Sequence, residues 1–305
     1  MIVKNLKWFS CLLIGLIIIA VVVGLLSGGL NLGIDFTGGS LVTVDMGEEY
    51  DSETVRQAAL AVEGISGDVS VVKAGENMQQ AIIRLQSTGD EAATAELVES
   101  MMNEIQKTYA QAQMHQIDSV GGTASGDLIS SAITSVLLAG LLMLIYIWIR
   151  FDLFSGIGAL AALIHDVIAM IAVMCIFQVQ IDSTFIAAAL TIVGYSINDT
   201  VIIFDRIREN MNTLDPKKYS KDKIVDMSVR QTLGRTINTS VTTLIMITAL
   251  YIFGVQSIKI FAFPIIIGIV IGTFSSNLIA PAIWIKLLNK FGHKFSGRKR
   301  VKPIR

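Results

Sequence analysis

The stretch Phe185-Ile-Ala-Ala-Ala-Leu-Thr-Ile-Val-Gly-Tyr-Ser-Ile-Asn-Asp-Thr-Val-Ile-Ile-Phe204 runs for 20 residues with a single formal charge, Asp199. About 18 apolar residues are enough for a helix to cross a hydrocarbon core ~30 Å thick. A helix also satisfies its own backbone N–H and C=O groups, which lipid cannot do. The stretch therefore reads as a membrane-spanning helix. Five further segments share its character: Phe9–Leu26, Leu128–Ile149, Phe154–Phe177, Ile237–Phe253 and Ile260–Leu288. The expected fold class is a polytopic α-helical membrane protein with six transmembrane helices.

The composition points the same way. Of the 305 residues, 52% are hydrophobic and 16% charged, and the mean hydropathy is +0.63. Soluble domains carry about a quarter charged residues, so an ordinary soluble enzyme or nucleic-acid binder is excluded. With four prolines and few low-complexity tracts, disorder is not expected either. Cys11 and Cys175 both lie in apolar runs and offer neither a disulfide framework nor metal-ligand spacing.

Orientation follows from the distribution of Lys and Arg. Asn31 to Ser125 holds 4 basic and 15 acidic residues, whereas Arg206–Arg235 holds 8 basic residues and Lys286–Arg305 another 8. Both termini and the 206–235 loop are expected in the cytoplasm, with the acidic region outside. The first apolar run is longer than a signal-peptide core and ends in a poor cleavage site, so an uncleaved anchor is expected. The expected divisions are 1–30, cytoplasmic N-terminus and first helix; 31–125, extracytoplasmic domain; 126–290, helices two to six; and 291–305, a basic cytoplasmic tail.

Within the acidic region, Leu41–Met46 alternates with period two and Ser52–Val62 has helical spacing. Val69–Val72 and Ala81–Leu85 read as strands, Glu91–Tyr109 as an amphipathic helix, and Met114–Val120 alternates again. This β-α-β-β-α-β order predicts a ferredoxin-like α+β domain between helices one and two. His115 stands alone there, and a metal site needs several donors.

Ionisable residues at membrane depth are costly and mark functional candidates. Asp199 lies six residues before Asp205, about 9 Å along a helix axis, too deep for its short side chain to reach water. Tyr195 shares its face, and Gly194 and Asn198 form the adjacent stripe. Ser196, Thr239, Ser240, Thr242, Thr243, Thr273, Ser275, Ser276 and Asn277 are candidates for a polar seam inside the bundle, and Gly268 and Gly272 for close helix approach. Desolvation disfavours a charged carboxyl and a nearby arginine favours it, so such a pair can load and release a proton. Arg235 is the expected counter-charge. His165 and Asp166 are secondary candidates; as helix neighbours they point about 100° apart, which predicts no simple dyad. No phosphate loop, zinc-protease motif or nucleophile elbow is present, so no enzyme, cofactor or metal centre is expected.

Four strings occur in order along the chain: Gly33-Ile-Asp-Phe-Thr-Gly-Gly39; Val193-Gly-Tyr-Ser-Ile-Asn-Asp-Thr200 running into Phe204-Asp-Arg-Ile-Arg-Glu-Asn210; Thr232-Leu-Gly-Arg-Thr236 followed by Thr239-Ser-Val-Thr-Thr243; and Gly272-Thr-Phe-Ser-Ser276. The set resembles the SecF family of bacterial protein-export membrane proteins, in the resistance-nodulation-division (RND) superfamily. The resemblance implies one six-helix half of a transporter bundle, in the bacterial cytoplasmic membrane, completed by SecD. It also implies association with the SecYEG channel and YajC after SecA has used ATP, an unfolded preprotein as substrate, and a proton or sodium gradient as drive. It places the coupling carboxylate at Asp199 and the essential arginine at Arg235, and it carries a motif at Gly33, Asp35, Gly38 and Gly39. Membrane lipid is the remaining expected partner, through the basic segments, and nucleic acid is not expected. Two alternatives stay open: an RND-type exporter of small molecules or lipids, and a scaffold that transports nothing.

Overall fold

A computed structural model describes residues 15–26, 29–65, 69–75, 78–85, 91–215 and 217–291. The chain divides into two units, one of residues 1–30, 135–179 and 184–305, the other of residues 31–134 with 180–183.

The membrane-type helices are long because apolar residues run uninterrupted to a polar stop. They are α5 (Gly122–Arg150), α6 (Leu153–Ile176), α7 (Ser183–Thr213), α8 (Lys221–Phe253) and α9 (Gln256–Phe291), each long and apolar enough to cross a membrane. The chain is thus a polytopic helical membrane protein. Before them, α1 (Gly15–Leu26) is a shorter apolar helix. Residues 9–14 of the expected first span, and the expected basic tail from 292, lie outside the described residues.

Local chemistry sets the helix ends. The Asp152 carboxylate caps α6, accepting from the Ser155 N–H at 2.9 Å, and the Ser220 hydroxyl caps α8. Gly254 closes α8, its N–H donating to the Leu250 carbonyl. The stretch 206–235, expected as a cytoplasmic loop, is mostly helix: α7 continues to Thr213 and α8 starts at Lys221. The charged residues of this stretch lie on helix rather than in a loop. Ile207, Asn210, Ile224, Val225, Ser228 and Val229 are buried on these extensions at helical spacing, and Asn210 Nδ2 donates to Ser228 Oγ at 2.8 Å.

In this unit α9 packs along α6 and α8. The fit requires glycine at Gly268, where a Cβ would stand 2.4 Å from Ile192 Cγ1 and 3.0 Å from Met170 Sδ. Val193, Ile197, Ile203 and Phe204 of α7 join Ala159, Leu163, Ala280 and Trp284 in one apolar core. Most of α5 remains exposed, including Leu137, Leu141, Leu142 and Ile149.

The second unit begins with the short α2 (Ile34–Thr37), followed by β1 (Gly39–Asp45), α3 (Ser52–Leu60), β2 (Ser70–Ala74), β3 (Gln80–Leu85), α4 (Glu91–Thr108) and β4 (Gln113–Val120). The strands form one antiparallel sheet in the order β2-β3-β1-β4. Alternation in β1 and β3 buries Val42, Val44, Ala81, Ile83 and Leu85 against Val55, Ala59, Val98, Met101 and Ile105 of α3 and α4. The alternation expected in β4 has no such effect: it is an edge strand exposed along nearly its whole length, because the helices cover the sheet elsewhere.

Candidate functional site

Asp199 sits on α7 with 1% of its surface exposed, and neither carboxylate oxygen accepts a hydrogen bond among the described residues. Arg235, on the neighbouring α8, is exposed. Among the described residues every other buried polar side chain of the seam has a hydrogen-bond partner, so Asp199 is the exception there.

That network has two parts. In the first, Ser196 Oγ donates to Asp166 Oδ2 at 2.8 Å and stands 3.1 Å from Ser276 Oγ. Ser276 Oγ in turn donates to the Ser196 carbonyl at 2.9 Å, and Thr200 Oγ1 donates to Ser276 Oγ at 3.1 Å. Helices α6, α7 and α9 are stitched together there, and Gly272 leaves room beside Ser196 and Asp166. In the second part, Tyr195 Oη donates to Ser240 Oγ at 3.2 Å, Ser240 Oγ lies 2.6 Å from Thr273 Oγ1, and Asn277 Nδ2 donates to Thr236 Oγ1 at 3.3 Å.

His165 and Asp166 correct the expectation made for them. Nδ1 of His165 lies 3.1 Å from Oδ1 of Asp166 despite their adjacency. The 100° of helix separation applies to the Cα–Cβ directions, and two flexible side chains close that gap. Asp166 is 1% exposed and belongs to the seam.

The remaining expected members bond within their own helices, and Ser275 is buried. Thr239 Oγ1 donates to the Arg235 carbonyl and Thr243 Oγ1 to the Thr239 carbonyl, each one turn back on the same helix. Ser275 Oγ does the same to Gly272. Asn198 and Gly194 are exposed, so the inward stripe of α7 is that of Ser196, Asp199 and Thr200. Thr200 and Thr236 were not singled out from sequence; their signal was the four-residue spacing from Ser196 and to Ser240.

The Gly33–Gly39 motif lies elsewhere, in the second unit. The Gly33 N–H donates to the Ile181 carbonyl at 2.7 Å, and Ile181 N–H to the Asn31 carbonyl at 2.8 Å. The Asp35 carboxylate accepts from the N–H of Ser183, the first residue of α7, at 2.8 Å. Gly38 and Gly39 both have positive φ, and a Cβ on Gly39 would stand 2.5 Å from the Leu85 carbonyl oxygen. Arg84, unremarked in sequence because strand alternation explained it, donates to the Leu32 carbonyl at 2.8 Å and to Asn31.

Two family models match the chain: one described as protein export membrane protein SecD/SecF, C-terminal, over residues 100–290, and one described as the SecD/SecF GG motif, over residues 23–47. The protein translocase subunit SecF of Rhodothermus marinus is 39% identical over 280 residues, covering 90% of this chain and 88% of its own. That of Haemophilus influenzae is 37% identical, covering 85% and 77% respectively. Among solved structures, SecDF from Thermus thermophilus, described as a translocon-associated membrane protein, superposes with a TM-score of 0.81 at 30% identity. It matches 94% of this chain, which spans 38% of that longer polypeptide.

Proposed function

The chain belongs to the SecD/SecF family as a SecF-type protein translocase subunit, and from that membership we propose that Asp199 carries the ion that drives protein export. The observation that carries the proposal is the buried, unpartnered carboxylate. An unmet buried acceptor costs about 1–3 kcal/mol, more when charged. A group kept at that cost in a network otherwise fully bonded is suited to bind something that comes and goes, a proton or a sodium ion. Arg235 favours the charged form when near and releases it when the helices part. Asp166, by contrast, is held by Ser196 and His165 and serves to fix α6, α7 and α9 around the mobile charge.

SecD supplies the second half of the bundle. Asn198, Arg235, Asn238 and Thr242 are exposed on α7 and α8, and such a polar face suits a protein partner rather than hydrocarbon. The completed unit has six spans here, both termini in the cytoplasm of a bacterial cell, and a ferredoxin-like outer domain, consistent with the sheet order β2-β3-β1-β4. It acts beside SecYEG and YajC on a preprotein that SecA has inserted, with no catalytic step of its own. The relatives favour this over export of small molecules or lipids, since they are named as protein translocase subunits.

The test is Asp199→Asn in cells and in vesicles containing SecD. With protein level and SecD association unchanged, gradient-dependent export is expected to be lost while SecA-dependent insertion persists. Unimpaired export overturns the role, and running proton and sodium gradients separately identifies the ion.

A further inference from the structure

Phe151 and Asp152 join α5 to α6, so they stand where two membrane-crossing helices leave the hydrocarbon. Beside them lies a cavity of about 370 Å³, whose lining includes Phe151, Asp152, Phe204, Arg208, Trp284 and Leu288. The floor is apolar and aromatic, with the Phe204 ring 6.1 Å from Phe151 and 6.2 Å from Trp284. Trp284 turns its indole N–H toward Asp152 at 3.3 Å, the amphipathic pose that tryptophan takes at a bilayer boundary.

The rim carries opposite charges that are not paired with each other. Asp152 is held in place by Ser155 N–H and Oγ, both at 2.9 Å, and retains acceptor capacity. Arg208 donates from Nη1 to the Arg150 carbonyl at 3.2 Å and forms no ion pair among the described residues, which leaves most of its five donors available. The neighbouring Arg150 is already committed, to Asp205 at 3.3 Å and over the Phe151 ring at 5.2 Å.

We propose that this cavity binds a zwitterionic phospholipid with a primary-amine headgroup, its phosphate on Arg208, its ammonium on Asp152 and its acyl chains against Phe151 and Leu288. Charge complementarity selects this occupant. A purely anionic lipid would meet the Asp152 carboxylate, and a choline headgroup offers no N–H to it. A free phosphate would leave the aromatic floor unused. The site is independent of the role of Asp199.

The test is native mass spectrometry on the full-length chain, with phosphatidylethanolamine, phosphatidylglycerol and phosphatidylcholine added one at a time. Phosphatidylethanolamine is expected to be retained about tenfold better than the other two, the scale of one charge-assisted hydrogen bond. Arg208→Gln and Asp152→Asn are each expected to abolish that preference; asparagine still caps α6. Equal retention of the three lipids by the unaltered chain, a preference for phosphatidylglycerol, or a preference unchanged in both variants overturns the proposal. The comparison on the unaltered chain decides even where a variant folds poorly.

Discussion

Asp166 and Asp199 are each 1% exposed, yet they meet opposite surroundings. Asp166 accepts from Ser196 and stands beside His165, whereas Asp199 has no hydrogen-bond partner among the described residues. The two therefore respond oppositely to substitution. Ser196→Ala leaves a buried carboxylate short of a donor and is expected to lower stability by about 1–3 kcal/mol. Asp199→Asn removes a buried carboxylate that no hydrogen bond holds among the described residues and is expected to leave stability unchanged or raised. Thermal unfolding of the purified chain in one detergent distinguishes them, and strong destabilisation by Asp199→Asn would show that the carboxylate has a structural partner. Depth along a helix is legible from sequence because the rise per residue is fixed, and Asp199 was located that way. Which way a side chain turns is not, since it depends on which neighbouring helix arrives. Hence Thr200 was passed over and lies inside the seam, while Asn198 is exposed on this chain.

At the scale of elements, periodicity carried most of the information. β1, β3, α3 and α4 lie within two residues of where their spacing places them, because each buries one face against the others. β4 also lies within one residue of its expected bounds but buries almost nothing, and the charged ends of α7 and α8 escaped the same reasoning. An edge strand can alternate without burying anything, and a helix can outrun the bilayer wherever another helix covers its apolar stripe. Tyr50 joins elements of the second unit. Its hydroxyl donates to the Gln80 carbonyl at 2.8 Å, and its ring meets Tyr109 edge to face at 6.4 Å. Burial, with a smaller contribution from Tyr109, pushes its phenol up to about 12, against about 10 in an unfolded chain. Because the folded value is the higher one, the stability Tyr50 lends is complete below about pH 10 and lost as pH rises through about 12. Tyrosinate absorbance of the full chain is therefore expected to lose a step near pH 12 in Tyr50→Phe. Loss of a step near pH 10 instead would mean that the phenol meets solvent.

The whole molecule presents two kinds of exposed surface on its membrane helices. From Leu137 to Ile145 the exposed residues of α5 are apolar, Leu138, Leu141 and Leu142 among them, which suits lipid. On α7 and α8 they include Asn198, Arg235, Asn238 and Thr242. An arginine facing hydrocarbon costs about 2.5–3.5 kcal/mol on insertion scales. Apolar surface does not drive helices together in lipid, where tails are as apolar as leucine, whereas polar groups and close packing do. The polar face is thus the one with free energy to gain from a protein partner, and a chain that spans 38% of the solved SecDF polypeptide leaves room for one. With Cys11 and Cys175 replaced, Asn238→Cys and Thr242→Cys are expected to cross-link to SecD in native membranes. Leu141→Cys is expected instead to react with a lipid-phase probe and to form no adduct with SecD. The reverse pattern would place SecD against α5 and leave Arg235 without a protein partner, and the account of Asp199 and Arg235 as a pair enclosed by two half-bundles would fail with it.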